Sequence, residues 1–117
     1  MWNAALLTSI EEHATAILIL AEGLEEDELR RSRLTRREIL RHLDLLASAL
    51  RGLPPDARAA LPEIDWAAWS TTAQCISQGH EDAHETLWFA VRALVPATLM
   101  WLRVYRQNQP QLFEFRA

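Results

Sequence analysis

His80-Glu81-x-x-His84 puts two imidazoles four residues apart with a carboxylate beside the first. That is the spacing of a zinc hydrolase helix, in which the two histidines ligate the metal and the glutamate takes a proton from a metal-bound water. Such a site also needs a third ligand, and one helix face must carry both rings. Position 90, where one class of these enzymes carries a histidine, is Ala90, and the only acidic residue after Glu85 is Glu114. Gly79 directly precedes His80, and Asp82-x-x-Glu85 has the form of a capping box. If Asp82 caps the helix, His80 lies outside it, and the spacing no longer brings the two rings together. The competing reading is a polar helix start, with Asp82 and Glu85 favoured by the helix dipole. Zinc metallopeptidase chemistry therefore stays a minor alternative, with His80, Glu81 and His84 as its candidate ligands. No cofactor is expected.

The elements that must position these residues are helical. The chain has 117 residues, enough for one domain with a core but not for two. Half of the residues are apolar and 24% are charged, an ordinary composition for a soluble domain. There is no lysine, and the net charge is −4, which argues against a dedicated nucleic-acid binder. A single cysteine, Cys75, excludes an internal disulfide framework and fits a reducing compartment. The longest purely apolar run, Ala16 to Ala21, is far shorter than the roughly 20 residues of a membrane span. The start, "MWNAALLTSIEEHA", lacks the basic opening of a signal peptide. A cytoplasmic location with no membrane partner is expected.

Apolar residues recur at helical spacing almost throughout. Leu6, Ile10, Ile17, Leu20 and Leu24 are expected on one face of a helix over 2–22, flanked by Leu7, Ala14, Leu18 and Ala21 and ended by Gly23. "LEEDELRRSR" reads as a short polar link with at most one helical turn. Thr35-x-x-Glu38 reads as a capping box opening a second helix to about Gly52, with Ile39, Leu43, Leu46 and Leu50 inward. Leu53-Pro54-Pro55 stops it, and "DARAA" suits a single turn. A third helix is expected over about 65–77. A fourth carries Leu87, Trp88, Val91, Leu94, Val95, Leu102 and Tyr105, with Pro96 kinking or splitting it. No alternating strand pattern is present. The expected fold is all-α, an antiparallel up-and-down bundle of four to five helices, as one domain over 1–107 with a tail over 108–117. Trp66, Trp69, Trp88 and Trp101 are expected as large pieces of its core, so that Trp88→Ala would cost about 3–5 kcal/mol.

The order "LPEIDWAAW" and then "HETLWFAVRALVPATLMWL", preceded by "DELRRSRLTRREILRHLDLLASALRGLPPDARAA", resembles the HepT-like branch of the HEPN families over most of the chain. The resemblance implies a small all-helical protein, homodimeric, encoded beside a minimal nucleotidyltransferase that acts as its partner. It also implies a metal-independent ribonuclease toxin whose site is an Arg, four to six residues, a His and, two residues later, a Tyr, at the end of the third helix. Counted from Trp66, Ala73 stands at the Arg position, Gln74 at the adjacent polar position, Gln78 at the His position and His80 at the Tyr position, where the partner would attach AMP. In such a site a guanidinium steadies phosphate charge and an imidazole moves a proton. Ala73 does neither, and Gln78 has no useful proton to exchange. No arginine lies between Arg58 and Arg92, so a shifted register does not restore the pattern.

Arg37-x4-His42 fits the ribonuclease spacing literally, but it lies within the second helix, where five residues turn about 140° around the axis. Arg37 is read as solvated and His42 as a flank residue. The cluster Arg30, Arg31, Arg33, Arg36, Arg37 and Arg41 suits RNA phosphate or an acidic partner, and Glu25, Glu26, Asp27 and Glu28 beside it suit a mixed-charge surface instead. The expected function is that of a non-catalytic HepT-like subunit, of toxin–antitoxin type, that binds a minimal nucleotidyltransferase. The alternative is an active or residual ribonuclease using His80, His84 and arginines brought across a dimer interface, with RNA as its substrate.

Overall fold

The computed structural model describes residues 2–78 and 83–113. Among them the chain is helical, with no strand. Helix α1 spans Trp2–Ala21, α2 Glu26–Arg31, α3 Arg33–Arg51, α4 Pro55–Ala59, α5 Trp66–Gln78, α6 Ala83–Phe89 and α7 Val95–Asn108. A π-helical turn over Ala90–Leu94 joins α6 to α7, and a 3-10 turn over Pro110–Phe113 ends the described chain. The expectation of an all-α bundle holds.

Helix α1 stops where Gly23 takes φ +72, a left-handed conformation that costs glycine nothing. Its buried stripe is Ala4, Leu7, Ile10, Ala14, Ile17 and Ala21. Leu6, Leu18, Leu20 and Leu24 pack from its edges instead of leading it, so the face is rotated from the expected one. Helix α3 buries Ile39, Leu43, Leu46 and Leu50 as its spacing predicts. It begins at Arg33, two residues before the expected capping box. The Arg36 amide already donates to the Ser32 carbonyl, so Thr35 lies inside the first turn. There its hydroxyl accepts from Ser32 Oγ at 2.9 Å, and Glu38 pairs with Arg41 instead of reaching back. Asp65 does cap α5, with Oδ1 accepting the Ala68 amide at 3.0 Å.

The long helices pair antiparallel. His13 of α1 meets His42 of α3, while Leu6 lies beside Gly52. On the other side, Trp69 of α5 bonds to Thr98 of α7, and Cys75 lies 3.4 Å from Thr86 of α6. The expectation for Pro96 resolves in a particular way. Proline has no amide to give the carbonyl four residues back, and its ring crowds that carbonyl. The helix widens just upstream, where the Val95 amide bonds to the Ala90 carbonyl five residues back. The run from Ala83 to Asn108 thus continues through the proline. The tail continues too: Phe113 is buried, with the Arg106 guanidinium 4.3 Å over its ring, and Arg106 pairs with Glu11 of α1.

The tryptophan expectation needs correction. Trp69 alone of the four is buried, at 3% exposure, with its indole N–H donating to Thr98 Oγ1 at 2.9 Å. Trp66, Trp88 and Trp101 are half-buried against the core. Trp88 shares its ring with Arg92, whose guanidinium lies 5.2 Å from its centre. An indole placed under an arginine at the surface loses less on truncation than one enclosed on all sides. Residues 4–21 and 83–108 are each long and apolar enough to cross a membrane by length and composition. In this fold 33% of residues 4–21, and 44% of the apolar 18-residue stretch within 83–108, are buried against the other helices.

Tyr105 ties the link before α5 to α7. Its hydroxyl donates to Glu63 Oε2 at 2.6 Å and accepts the Glu63 amide at 3.0 Å. Burial first, then the carboxylate, pushes its pKa up to about 12. Because the folded value is raised, the stability from this contact is complete below the free tyrosine value of 10 and is lost as pH rises through about 12. In urea unfolding, Trp69→Ala should cost about 3–5 kcal/mol and Trp88→Ala clearly less. Tyr105→Phe should cost about 1 kcal/mol near neutral pH and flatten the loss of stability above pH 10.

Candidate functional site

The positions singled out on α5 form one wall of a cleft of about 400 Å³. Ala73 and Gln74 line it with Ser70 and Ser77, one helical turn apart on a single face, and Trp66 and Trp69 stand at its near end. Ala47, Leu50 and Arg51 of α3 form the opposite wall, and Arg58 of α4 closes one side. Gln78, the last residue of α5, is exposed and lies outside the lining. His80 and Glu81 fall outside the described residues.

The two arginines were missed by sequence reasoning, because neither stands at a motif position. They reach the cleft because Pro54 and Pro55 turn the chain back. Pro55 occupies the first turn of α4, where its missing amide costs nothing. From there Arg58 Nε donates to the Leu53 carbonyl at 3.1 Å, and its Nη2 donates to the Arg51 carbonyl at 2.7 Å. These are carbonyls that the end of α3 leaves without helical partners. The same guanidinium lies 5.8 Å over the Trp66 ring, and the Trp66 indole donates to the Leu61 carbonyl. Arg51 donates to Ser48 Oγ at 3.1 Å. Neither arginine pairs with a carboxylate among the described residues, and the lining holds no acid and no imidazole. The arrangement can hold negative charge. Among the described residues it has no group placed to move a proton.

The other candidates are dispersed. His84 sits in α6 with its ring turned inward. Its Nε2 lies 3.5 Å from Glu26 Oε1 of α2, and neither ring nitrogen makes a hydrogen bond. Among the described residues no group of three His, Cys, Asp or Glu side chains is placed to hold a metal. Arg37 is exposed and borders a shallow depression with Arg33, Arg36 and Leu40. Within the arginine-rich segment Arg41 pairs with Glu38 at 2.9 Å and Arg31 with Asp27 at 4.0 Å. Arg33 and Arg37 have no carboxylate partner among the described residues. The surface is thus mixed in charge at its flanks and basic at the first turn of α3.

His42 turns away from Arg37 to His13, a contact with no signal in the one-dimensional pattern because the residues lie 29 apart. Their Nδ1 atoms are 2.9 Å apart. Arg41 approaches His42 Nε2 at 3.4 Å. A guanidinium only donates, so His42 Nε2 is the acceptor and the proton of a neutral His42 ring lies on Nδ1, aimed at His13 Nδ1. Burial, the His42 charge and Arg41 lower the His13 pKa, and Glu12 opposes them. Glu38, which also faces His42, is held below its usual value by its hydrogen bond from Arg41. Double protonation leaves two donors and no acceptor at the α1–α3 seam. The folded pKa of His13 is lowered, so the unfolded chain takes up the proton first. Stability is complete above pH 6.5 and falls as pH drops through 6.5 towards the folded value. His13→Gln should flatten the stability–pH curve between pH 7.5 and 5.0. Superimposable curves for the two proteins would remove the pair as its origin.

Comparisons with protein-family models, curated proteins and solved structures returned no match for this chain.

Proposed function

We propose that this chain is a non-catalytic HepT-like subunit that works by binding protein, as a homodimer in complex with a minimal nucleotidyltransferase in the cytoplasm, with no membrane partner. The observation that carries the reading is the wall of α5. Where the resemblance expects a guanidinium and its polar neighbour, Ala73 packs half-buried on the core and Gln74 lines a cleft without an imidazole. Apolar side chains left on the surface support the binding role. Ile19 of α1, Leu34 of α3, Phe89 of α6 and Met100 of α7 are 65%, 77%, 49% and 50% exposed. Phe89 borders a shallow groove floored by Ala67, Ala68 and Thr71 of α5, small residues over which a second helix can approach closely.

A second reading is favoured by Arg51 and Arg58, which bring cations to the same cleft. In that reading the chain retains metal-independent ribonuclease activity, with the proton-transfer group supplied by a second chain or by His80. Zinc hydrolysis through His80, Glu81 and His84 draws least support, since His84 turns towards Glu26.

Co-expression with a minimal nucleotidyltransferase from a neighbouring gene should yield a stable complex on size exclusion, and a neighbourhood without such a gene would count against the reading; the chain alone should run at about twice its 13.4 kDa. RNA incubated with the pure dimer in chelator should remain intact. Cleavage that His80→Ala abolishes would move the function to the ribonuclease reading, and stoichiometric zinc in the purified protein would move it to the hydrolase.

A further inference from the structure

The arginines of the cleft differ from those that an acid neutralises. Arg31, Arg41 and Arg106 each pair with a carboxylate, in a protein where acids outnumber bases sixteen to twelve. Arg58 is oriented by two backbone carbonyls, and Arg51 by a serine hydroxyl. Neutral acceptors fix the geometry of a guanidinium and leave its charge unspent. Each also leaves free N–H donors, since a guanidinium carries five. Both line the same cleft, and Arg58 Nη2 bonds to the Arg51 backbone carbonyl.

What surrounds them narrows the ligand. Ala47, Leu50 and Ala73 give the cleft an apolar floor, while Ser70, Gln74 and Ser77 add hydroxyl and amide groups along one wall. A volume of about 400 Å³ lies within the range of small-molecule sites and accommodates one ring-sized body. A bare inorganic anion would leave the floor uncovered, and a neutral ring would leave both cations unmatched.

We propose that this cleft is a binding site for a small organic anion, a carboxylate or phosphate monoester on a compact apolar body, whose charged end pairs with Arg51 and Arg58. Guanidinium binding to carboxylate or phosphate is charge-assisted and strong for its size. The site goes beyond the protein-binding reading and stands or falls without any nucleotidyltransferase partner.

The test is a titration of the full chain followed by 1H–15N correlation spectra, reading the Trp66 indole and the Arg51 and Arg58 Nε signals. Phenyl phosphate and benzoate are the probes, with phenol and inorganic phosphate as controls for the apolar body and the charge. Phenyl phosphate or benzoate should shift these signals saturably, and each control should bind at least tenfold more weakly. Arg51→Gln should weaken binding about tenfold, the loss of one charge-assisted contact. Arg37→Gln, outside the cleft, should leave it unchanged. Arg58→Gln also removes the bonds to the end of α3, so Arg51→Gln, whose side chain bonds only to Ser48, is the decisive variant. No saturable shift at millimolar probe, equal binding of inorganic and phenyl phosphate, or shifts centred on Arg33 and Arg37 would each overturn the assignment. So would displacement of phenyl phosphate by an RNA oligonucleotide at a lower concentration, which would make the ligand a polymer.

Discussion

One buried polar junction sets the geometry on which the cleft depends. The Trp69 indole N–H donates to Thr98 Oγ1, and the Thr98 hydroxyl in turn donates to the Leu94 carbonyl at 2.7 Å. Thr98 is 2% exposed, so none of these groups has water as an alternative, and an unmade bond here would carry its full desolvation cost. The junction falls at the π turn that precedes Pro96. It anchors α5 to the helix run at the place where that run is widened. With Trp69 held in this way, the adjoining face of α5, bearing Ser70, Ala73, Gln74 and Ser77, is turned towards the end of α3.

The second constraint is electrostatic. Helix α3 ends near Gly52 with carbonyls that need donors, and Arg58 supplies them from the next helix. A structural need thus brings a cation to the rim of a cleft without acids. No carboxylate among the described residues lines the cleft: Glu26, Asp27 and Glu28 lie on α2, Glu11 and Glu12 on α1, and Glu38 pairs with Arg41. The net charge of −4 therefore conceals a local positive concavity. The first turn of α3 is a second basic spot, and it lies at the helix end where positive charge is least favoured by the dipole.

Two of the polar contacts between elements obey different chemistry. At α1–α3 the His13–His42 contact works only while one Nδ1 lacks a proton, so it is sensitive to mild acid. At the α5–α7 side, Tyr105 and Glu63 form a contact that stays intact until strongly alkaline pH, because burial and the carboxylate hold the phenol proton. The two long-range links thus respond to opposite ends of the pH scale.

Periodicity alone determined that the chain is all-helical, that Ile39, Leu43, Leu46 and Leu50 face inward, and that Pro96 perturbs its helix. These follow from spacing and from the missing proline amide, properties local to a few turns. The absence of an arginine and histidine at positions 73 and 78 was equally legible, since it needs only identity and register. The depth of each tryptophan was not legible, because the same residue type at helical spacing serves a core and a half-buried flank alike. Nor was the partnership of His42 with His13, or of Arg58 with the end of α3. Those contacts join segments through turns set by Pro54, Pro55 and Gly23, and only the packing of whole helices decides which side chains meet across them.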